Sequence, residues 1–146
     1  MNVNITRIDQ TLPLPKYETA GSFAFDFLAR TTVSIAPQEL ALIPGNVIIE
    51  CPKNLALQIL PRSSTFRKTG LIFPHSIGLI DADYCGPNDE IMIQVFNLGK
   101  ETVTINRGER IAQGLFVSTQ PVAFHEINQS ELKTHSRGGF GSTDQA

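Results

Sequence analysis

The side chains of this chain that could do chemistry are gathered in a few short segments. Three arginines stand beside small or hydroxyl residues, in Pro61-Arg62-Ser63-Ser64, Gly108-Glu109-Arg110-Ile111-Ala112-Gln113 and Ser136-Arg137-Gly138-Gly139. The planar guanidinium fork donates paired hydrogen bonds to phosphate oxygens. Serine hydroxyls and the free amides of a helix start, expected at 63–65, would complete an anion cradle. Another segment, Gly78-Leu79-Ile80-Asp81-Ala82-Asp83-Tyr84-Cys85-Gly86, sets an Asp directly after an apolar strand segment and follows it with a second Asp and an aromatic ring. It reads either as a turn with its usual Asp and Gly, or as a carboxylate placed to activate water beside a ring that stacks on a sugar or base. Asp26 lies inside Phe23-Ala24-Phe25-Asp26-Phe27-Leu28. A charge in an aromatic strand has a burial cost unless it is paired or faces a metal, and an edge strand with one open face would also accommodate it.

Strands must position these groups. Nine Pro and 11 Gly are spread along the whole chain. The longest stretches free of them are 22–36, which ends in the β-branched run Thr31-Thr32-Val33-Ser34-Ile35, and 122–137, which is largely polar. A helical bundle has nowhere to sit. Strands are predicted at Val3-Asn4-Ile5, Leu55 to Leu60, Ile91 to Phe96, Val103-Thr104-Ile105 and Ile111 to Val117. Turn signals separate them at Pro44-Gly45-Asn46, Gly86-Pro87-Asn88-Asp89, Leu98-Gly99-Lys100 and Asn106-Arg107-Gly108. Many short strands at near-regular spacing predict an all-β sandwich or barrel. One short helix is predicted at 63–69, with Ser63 or Ser64 as N-cap and Gly70 as the stop. No internal repeat is present, and the composition shifts only near residue 130, to a polar and then Gly-rich tail.

A length of 146 residues and a mass of 16.0 kDa predict one domain. Hydrophobic residues at 41% and charged residues at 18% give a globular balance. Twelve Lys and Arg against 14 Asp and Glu leave a net charge of −2, which argues against a nucleic-acid coat or a polybasic membrane anchor. An anionic ligand must then be held by a local cluster of cations. Cys51 and Cys85 are too few for a disulfide scaffold and read as reduced thiols of a cytosolic protein. MNVNITRIDQ has no apolar signal core, and no apolar run approaches a bilayer span, so the expected location is cytoplasmic. His75, His125 and His135 share no metal-ligand spacing; His75 could touch a base from beside the hairpin, and His135 could reach phosphates from the tail.

In order and spacing these segments resemble the five motifs of the trimeric all-β dUTP pyrophosphatase (dUTPase) family. The counterparts are Thr19 to Ala29, Pro61 to Ser64, Gly78 to Gly86, Gly108 to Gln113 and Gly138 to Thr143. The resemblance implies a jelly-roll-like β barrel over 1–130 and a flexible Gly-rich arm over 131–146 that carries the last motif. It implies a homotrimer with active sites shared between subunits, acting on dUTP with Mg2+ and yielding dUMP and pyrophosphate. That activity keeps uracil out of DNA and supplies dUMP for thymidylate synthesis. By the same analogy Asp81 is the base for in-line attack of water on the α-phosphorus, and Tyr84 stacks under the deoxyribose with no room for a 2′-hydroxyl. Backbone of Gly78, Leu79 and Ile80 reads the uracil edge. Arg62, Ser63, Ser64 and Gln113 bind phosphates, and Arg110 supports them through Asp83. Asp26 holds magnesium through water, Arg137 meets the γ-phosphate, and Phe140 with Gly141 and Ser142 closes over the base.

The chain departs from the family pattern in places. Cys85 stands where Arg is common, and Pro87-Asn88-Asp89 lengthens the hairpin end. His135 occupies the family's Arg position in the last motif, with Arg137 two residues on, and Asp144 replaces a common glycine. A dCTP deaminase of related fold would carry a catalytic Glu where this chain has Gln94, a neutral amide unable to do acid-base work. A non-catalytic nucleotide-binding regulator would be expected to lack Asp81, Tyr84 or the terminal Phe, and all three are present. An RNA-binding Arg-Gly-Gly tail would rest on a single copy of that motif.

Overall fold

Short alternating runs between turn residues become strands. The computed structural model describes residues 1–136 and 138. In chain order the strands are β1 (Asn4–Arg7), β2 (Phe25–Leu28), β3 (Val33–Ile35), β4 (Leu40–Pro44), β5 (Val47–Glu50) and β6 (Leu55–Leu60). After helix α1 (Thr65–Thr69) come β7 (Leu71–Ile72), β8 (Gly78–Ile80), β9 (Met92–Asn97), β10 (Val103–Ile105) and β11 (Arg110–Ser118). The class is all-β, as predicted. The strands form antiparallel sheets in the orders β1-β5, β10-β3, β2-β11-β6-β8 and β4-β9-β7.

Alternation along each strand decides what is buried. In β2, Phe25 and Phe27 point into the core while Asp26 and Leu28 stay half-buried. In β9, Ile93, Val95 and Asn97 are buried, and Ile43, Ile49, Leu57, Ile91 and Ile105 join them in one continuous core. Each such side chain contributes about 1.5–3 kcal/mol through apolar burial. Asn97 is the polar exception, and every polar group of its side chain is used. Its Nδ2 donates to the carbonyls of Ile35 (3.0 Å) and Glu101 (2.9 Å), and its Oδ1 accepts from the Gly99 amide (2.9 Å).

Gly114 of β11 lies under the aromatic cluster. A Cβ there would come within 2.5 Å of Phe25 Cζ and 2.8 Å of Phe27 Cε2. Only a residue without a side chain lets β11 pass below those rings.

Beyond β11, residues 119–136 are exposed along their whole length, apart from backbone contacts such as Thr119 to Asn54 and a 3-10 turn at Gln129–Glu131. Phe124 is 98% exposed. No helix among the described residues is long and apolar enough to cross a membrane.

Candidate functional site

Asp26 sits on β2, an edge strand of the four-stranded sheet, and its carboxylate is gripped by two arginines. Arg62 Nε donates to Asp26 Oδ1 at 2.8 Å, and Arg110 Nε lies 3.3 Å from Oδ2. Both conditions read from the sequence, an edge strand and a partner for the charge, are therefore met. The pairing depends on a backbone irregularity. Arg110 and Gln113 are three residues apart, which in a regular strand puts them on opposite faces. The register of β11 against β2 shifts between Arg110 and Ala112, and this bulge turns Arg110 onto the face of Leu28 and Asp26. Arg110 also donates from Nη2 to Glu18 Oε1 at 2.9 Å.

One row across the sheet connects this pair to the serines. Asp26 is level with Gln113, and Gln113 is level with Leu60 at the end of β6. Gln113 Nε2 donates to the Pro61 carbonyl at 2.9 Å, which fixes where the chain leaves β6 for Arg62-Ser63-Ser64. The helix that follows is shorter than predicted. It starts at Thr65 with Ser64 at the N-cap position, and Ser64 makes no side-chain capping bond. Thr65 does the local work, its hydroxyl accepting the Arg62 amide (3.1 Å) and its amide donating to the Arg62 carbonyl (2.9 Å). The Thr65 amide, expected from the sequence to be free for an anion, is instead taken by the Arg62 carbonyl; those of Ser63 and Ser64 remain. Gly70 ends the helix in the left-handed conformation, φ 71°, as predicted.

Arg62, Ser64, Thr65, Lys68, Glu109 and Arg110 line a cavity of about 560 Å3. Lys68 was not singled out by motif. Its sequence signal is the four-residue step from Ser64, one helical turn, and its amide bonds the Ser64 carbonyl at 3.0 Å. Three cations and a serine around one cavity suit a polyphosphate.

The segment Gly78 to Gly86 lies elsewhere. β8 is the opposite edge of the same sheet, paired to β6 with Ile59 against Gly78 and Leu57 against Ile80. Asp81 follows, exposed, and among the described residues its carboxylate has no hydrogen-bond partner. A turn bond from the Tyr84 amide to the Asp81 carbonyl (3.2 Å) shapes the bend, and the Tyr84 hydroxyl donates to the Glu90 carbonyl at 3.2 Å. Gly78, Leu79 and Ile80 line a cavity of about 230 Å3 with Phe73, His75, Met92 and Gln94. The His75 ring stacks on Phe73 at 6.3 Å between centroids.

The arginine cluster and Asp81 do not meet within one chain. From the level of Leu60, where Asp26 and Gln113 sit, to the level of Ile80 is three residues along β6, and from β2 to β8 is three strand spacings. At about 3.3 Å per residue and about 4.8 Å per strand, Asp26 and Ile80 are roughly 17 Å apart. The expected support of Arg110 through Asp83 is also absent within the chain. Arg110 is taken up by Asp26 and Glu18, while Asp83 lines a separate cavity of about 370 Å3 with Asn4, Glu50 and Lys53. Arg137, Phe140, Gly141 and Ser142 lie outside the described residues.

The donor set decides what kind of metal could enter. Among the described residues no group of three His, Cys, Asp or Glu side chains could cage an ion. Asp26 already accepts a hydrogen bond from Arg62 and is ion-paired with Arg110, which leaves it room to meet an ion through water. The residues present therefore fit a magnesium ion that keeps its waters and rides on phosphates. Elsewhere, burial pushes the Cys51 thiol up, and both cysteines are free. A bond to Glu90 holds the Arg30 proton more tightly than usual.

Comparison with known proteins bears on these arrangements. A family model described as dUTPase matches residues 10–144. A deoxyuridine 5'-triphosphate nucleotidohydrolase of Legionella pneumophila (strain Paris) is 38% identical over 143 residues, covering 94% of this chain and 91% of the relative. The crystal structure of a dUTPase from Streptococcus mutans superposes with a TM-score of 0.75 at 31% identity, over 82% of this chain and 98% of that one. A mutant dUTPase from phage phi11 of S. aureus, whose structure concerns the coordination of a structural Mg(II) ion, shares the fold at 21% identity, with a TM-score of 0.80 over 90% of this chain and 100% of that one.

Proposed function

Because the chain belongs to the dUTPase family, we propose that it hydrolyses dUTP to dUMP and pyrophosphate at a centre assembled between copies of itself. The observation that carries the shared centre is that β2, which bears Asp26 and its arginines, and β8, which leads into Asp81, are opposite edges of one sheet, about 17 Å apart from Asp26 to Ile80 at ordinary strand spacings. A general base must lie within hydrogen-bond reach of the water it activates, so Asp81 and Arg62 of one chain cannot serve the same α-phosphate. A head-to-tail ring of three copies sets the hairpin of one against the cradle of the next.

In that arrangement the exposed carboxylate of Asp81 takes the proton from the attacking water. Arg62, Ser63, Ser64 and Gln113 hold the phosphate chain, and charge growing on the leaving pyrophosphate falls on guanidinium donors already fixed by Asp26. Pairing with Asp26 orients the Arg62 guanidinium, and Asp26 with Glu18 orients that of Arg110, before the nucleotide arrives. Mg2+ bound to the phosphates would neutralise part of their charge, and Asp26 would accept from its waters. The outer edge of β8 has no strand beside it among the described residues, so backbone groups of Gly78, Leu79 and Ile80 are available to a pyrimidine edge. Tyr84 would stack under the sugar. Arg137 and the segment Phe140, Gly141 and Ser142 would close the site from the arm, the glycines letting it order and release.

The test is pyrophosphate release with Mg2+ from dUTP, dCTP, dTTP and UTP offered separately. Release from dUTP alone is expected. Ammonia from dCTP would move the chain to deamination, against the amide at Gln94. Binding of dUTP without release from any of the four would make it a nucleotide-recognising regulator.

A further inference from the structure

The hairpin that carries Asp81 and Tyr84 is longer than the family pattern by Pro87-Asn88-Asp89. Added loop length raises the number of conformations a connection can explore. Here the added residues are folded back. The Gly86 amide donates to Asp89 Oδ2 at 2.7 Å, and the Asp89 amide donates to the Gly86 carbonyl at 3.0 Å. The next residue, Glu90, is held by three donors. Arg30 reaches it with Nε to Oε1 and Nη2 to Oε2, each at 2.8 Å, and the Asn46 amide donates to Oε1 at 2.9 Å.

Those donors are themselves fixed. The Arg30 amide bonds the Pro44 carbonyl at 2.8 Å. Asn46 is buried, and its side chain exchanges hydrogen bonds with the Asp9 backbone at 2.7 and 3.1 Å. Glu90 is thus tied through its side chain to Arg30 and Asn46, and its carbonyl is the acceptor for the Tyr84 hydroxyl. Tyr84 is thus pinned at both ends, by the Asp81 turn at its amide and by Glu90 at its hydroxyl.

We propose that Arg30 and Glu90 are positioning residues for Tyr84, their ion pair fixing the carbonyl that holds the ring and so setting the preference for a deoxyribose over a ribose. This rests on the dUTP-hydrolysing reading. A ring that refuses a hydroxyl by lack of room must be held against small displacements, and a bidentate arginine-carboxylate contact has the required directionality. The pair is mostly buried, with side-chain exposures of 29% and 14%, but neither residue belongs to the apolar core, so the core's own contacts survive its loss.

The experiment compares kcat/KM for dUTP with kcat/KM for UTP in the wild type and in Arg30→Met, Glu90→Gln, Tyr84→Phe and the double variant Arg30→Met/Tyr84→Phe. Each single change is expected to lower the dUTP:UTP ratio roughly fivefold, the worth of one hydrogen bond. The double variant should be no lower than Tyr84→Phe alone, since both remove the same constraint. Glu90→Gln keeps an acceptor for Asn46 and its backbone carbonyl, so it reports even if Arg30→Met folds poorly. An unchanged ratio in either single variant of the pair, whatever happens to its Tm, would overturn the proposal, and so would effects that multiply in the double variant. A wild type without preference for dUTP, or a ratio equal to wild type in a further variant, Tyr84→Ala, measured alongside, would instead sink the underlying reading of the ring.

Discussion

Two inactive variants should rescue one another. Asp81→Asn removes the proposed base and leaves every phosphate ligand, so it should bind dUTP and not turn it over. Arg62→Ala removes a cradle donor and leaves Asp81. Arg62 is on the half-exposed face, and Asp26 keeps Arg110 at 3.3 Å, so this variant should fold. If each centre takes Asp81 from one copy and Arg62 from the next, a centre in a mixed ring is intact when the first copy carries Arg62→Ala and the second carries Asp81→Asn. With equal, random mixing each condition holds about half the time, so about one quarter of wild-type activity should return. Put another way, every ring containing both variants has one working centre. The assay is pyrophosphate release from dUTP after the two proteins, carrying different tags, are unfolded and refolded together, read on the whole mixture and again on purified doubly tagged rings, where one centre in three makes about one third of wild-type activity the expected value. Doubly tagged rings without activity would place Asp81 and Arg62 of the same copy at one phosphate and refute the distance argument.

Other consequences can be measured separately. Gly114→Ala should lower stability by about 1–3 kcal/mol in denaturant unfolding, because the new methyl meets Phe25 and Phe27 in the buried cluster; an unchanged midpoint would show that the rings yield. Asp9 is held well below the usual carboxylate range by hydrogen bonds from the Thr11 hydroxyl, first, and from Arg107. Its folded pKa is lowered, so its contribution is present above the unfolded value and is lost as pH falls through and below about 4. The Tm gap between wild type and Asp9→Ala should therefore be flat above about pH 5 and narrow below about pH 4; a gap that widens with acid would reverse the sign. Truncation after Ser136 should cut turnover severely at unchanged Tm, and a large fall in Tm would make the arm structural.

The fold is more legible in this sequence than the site. Leu55 to Leu60 and Val103 to Ile105 form strands where the pattern puts them, because breakers bound them on both sides. The strands on either side of Pro44-Gly45-Asn46 are less visible, since Leu40–Pro44 and Val47–Glu50 are apolar at successive positions and show no clean alternation. Asp26 is conspicuous as a charge among aromatics. Its partners are not, since Arg62 is 36 residues away and Arg110 reaches it only through a bulge that no periodicity announces. Arg30 and Glu90 are separated by 60 residues, and neither stands in a segment that local chemistry marks. The separation of Asp81 from the cradle follows from strand order, which the run of turns and strands leaves open.

Under the proposed shared centre, that strand order also makes concentration a control on activity. On that reading a single chain holds the proposed base, Asp81, beyond one edge strand of its sheet and the proposed phosphate cradle toward the other, so alone it would be chemically silent. Catalysis would then begin only above the concentration at which copies associate, and dilution would switch it off. Nucleotide bridging two copies would lower that threshold, letting the substrate recruit its own catalyst when it accumulates.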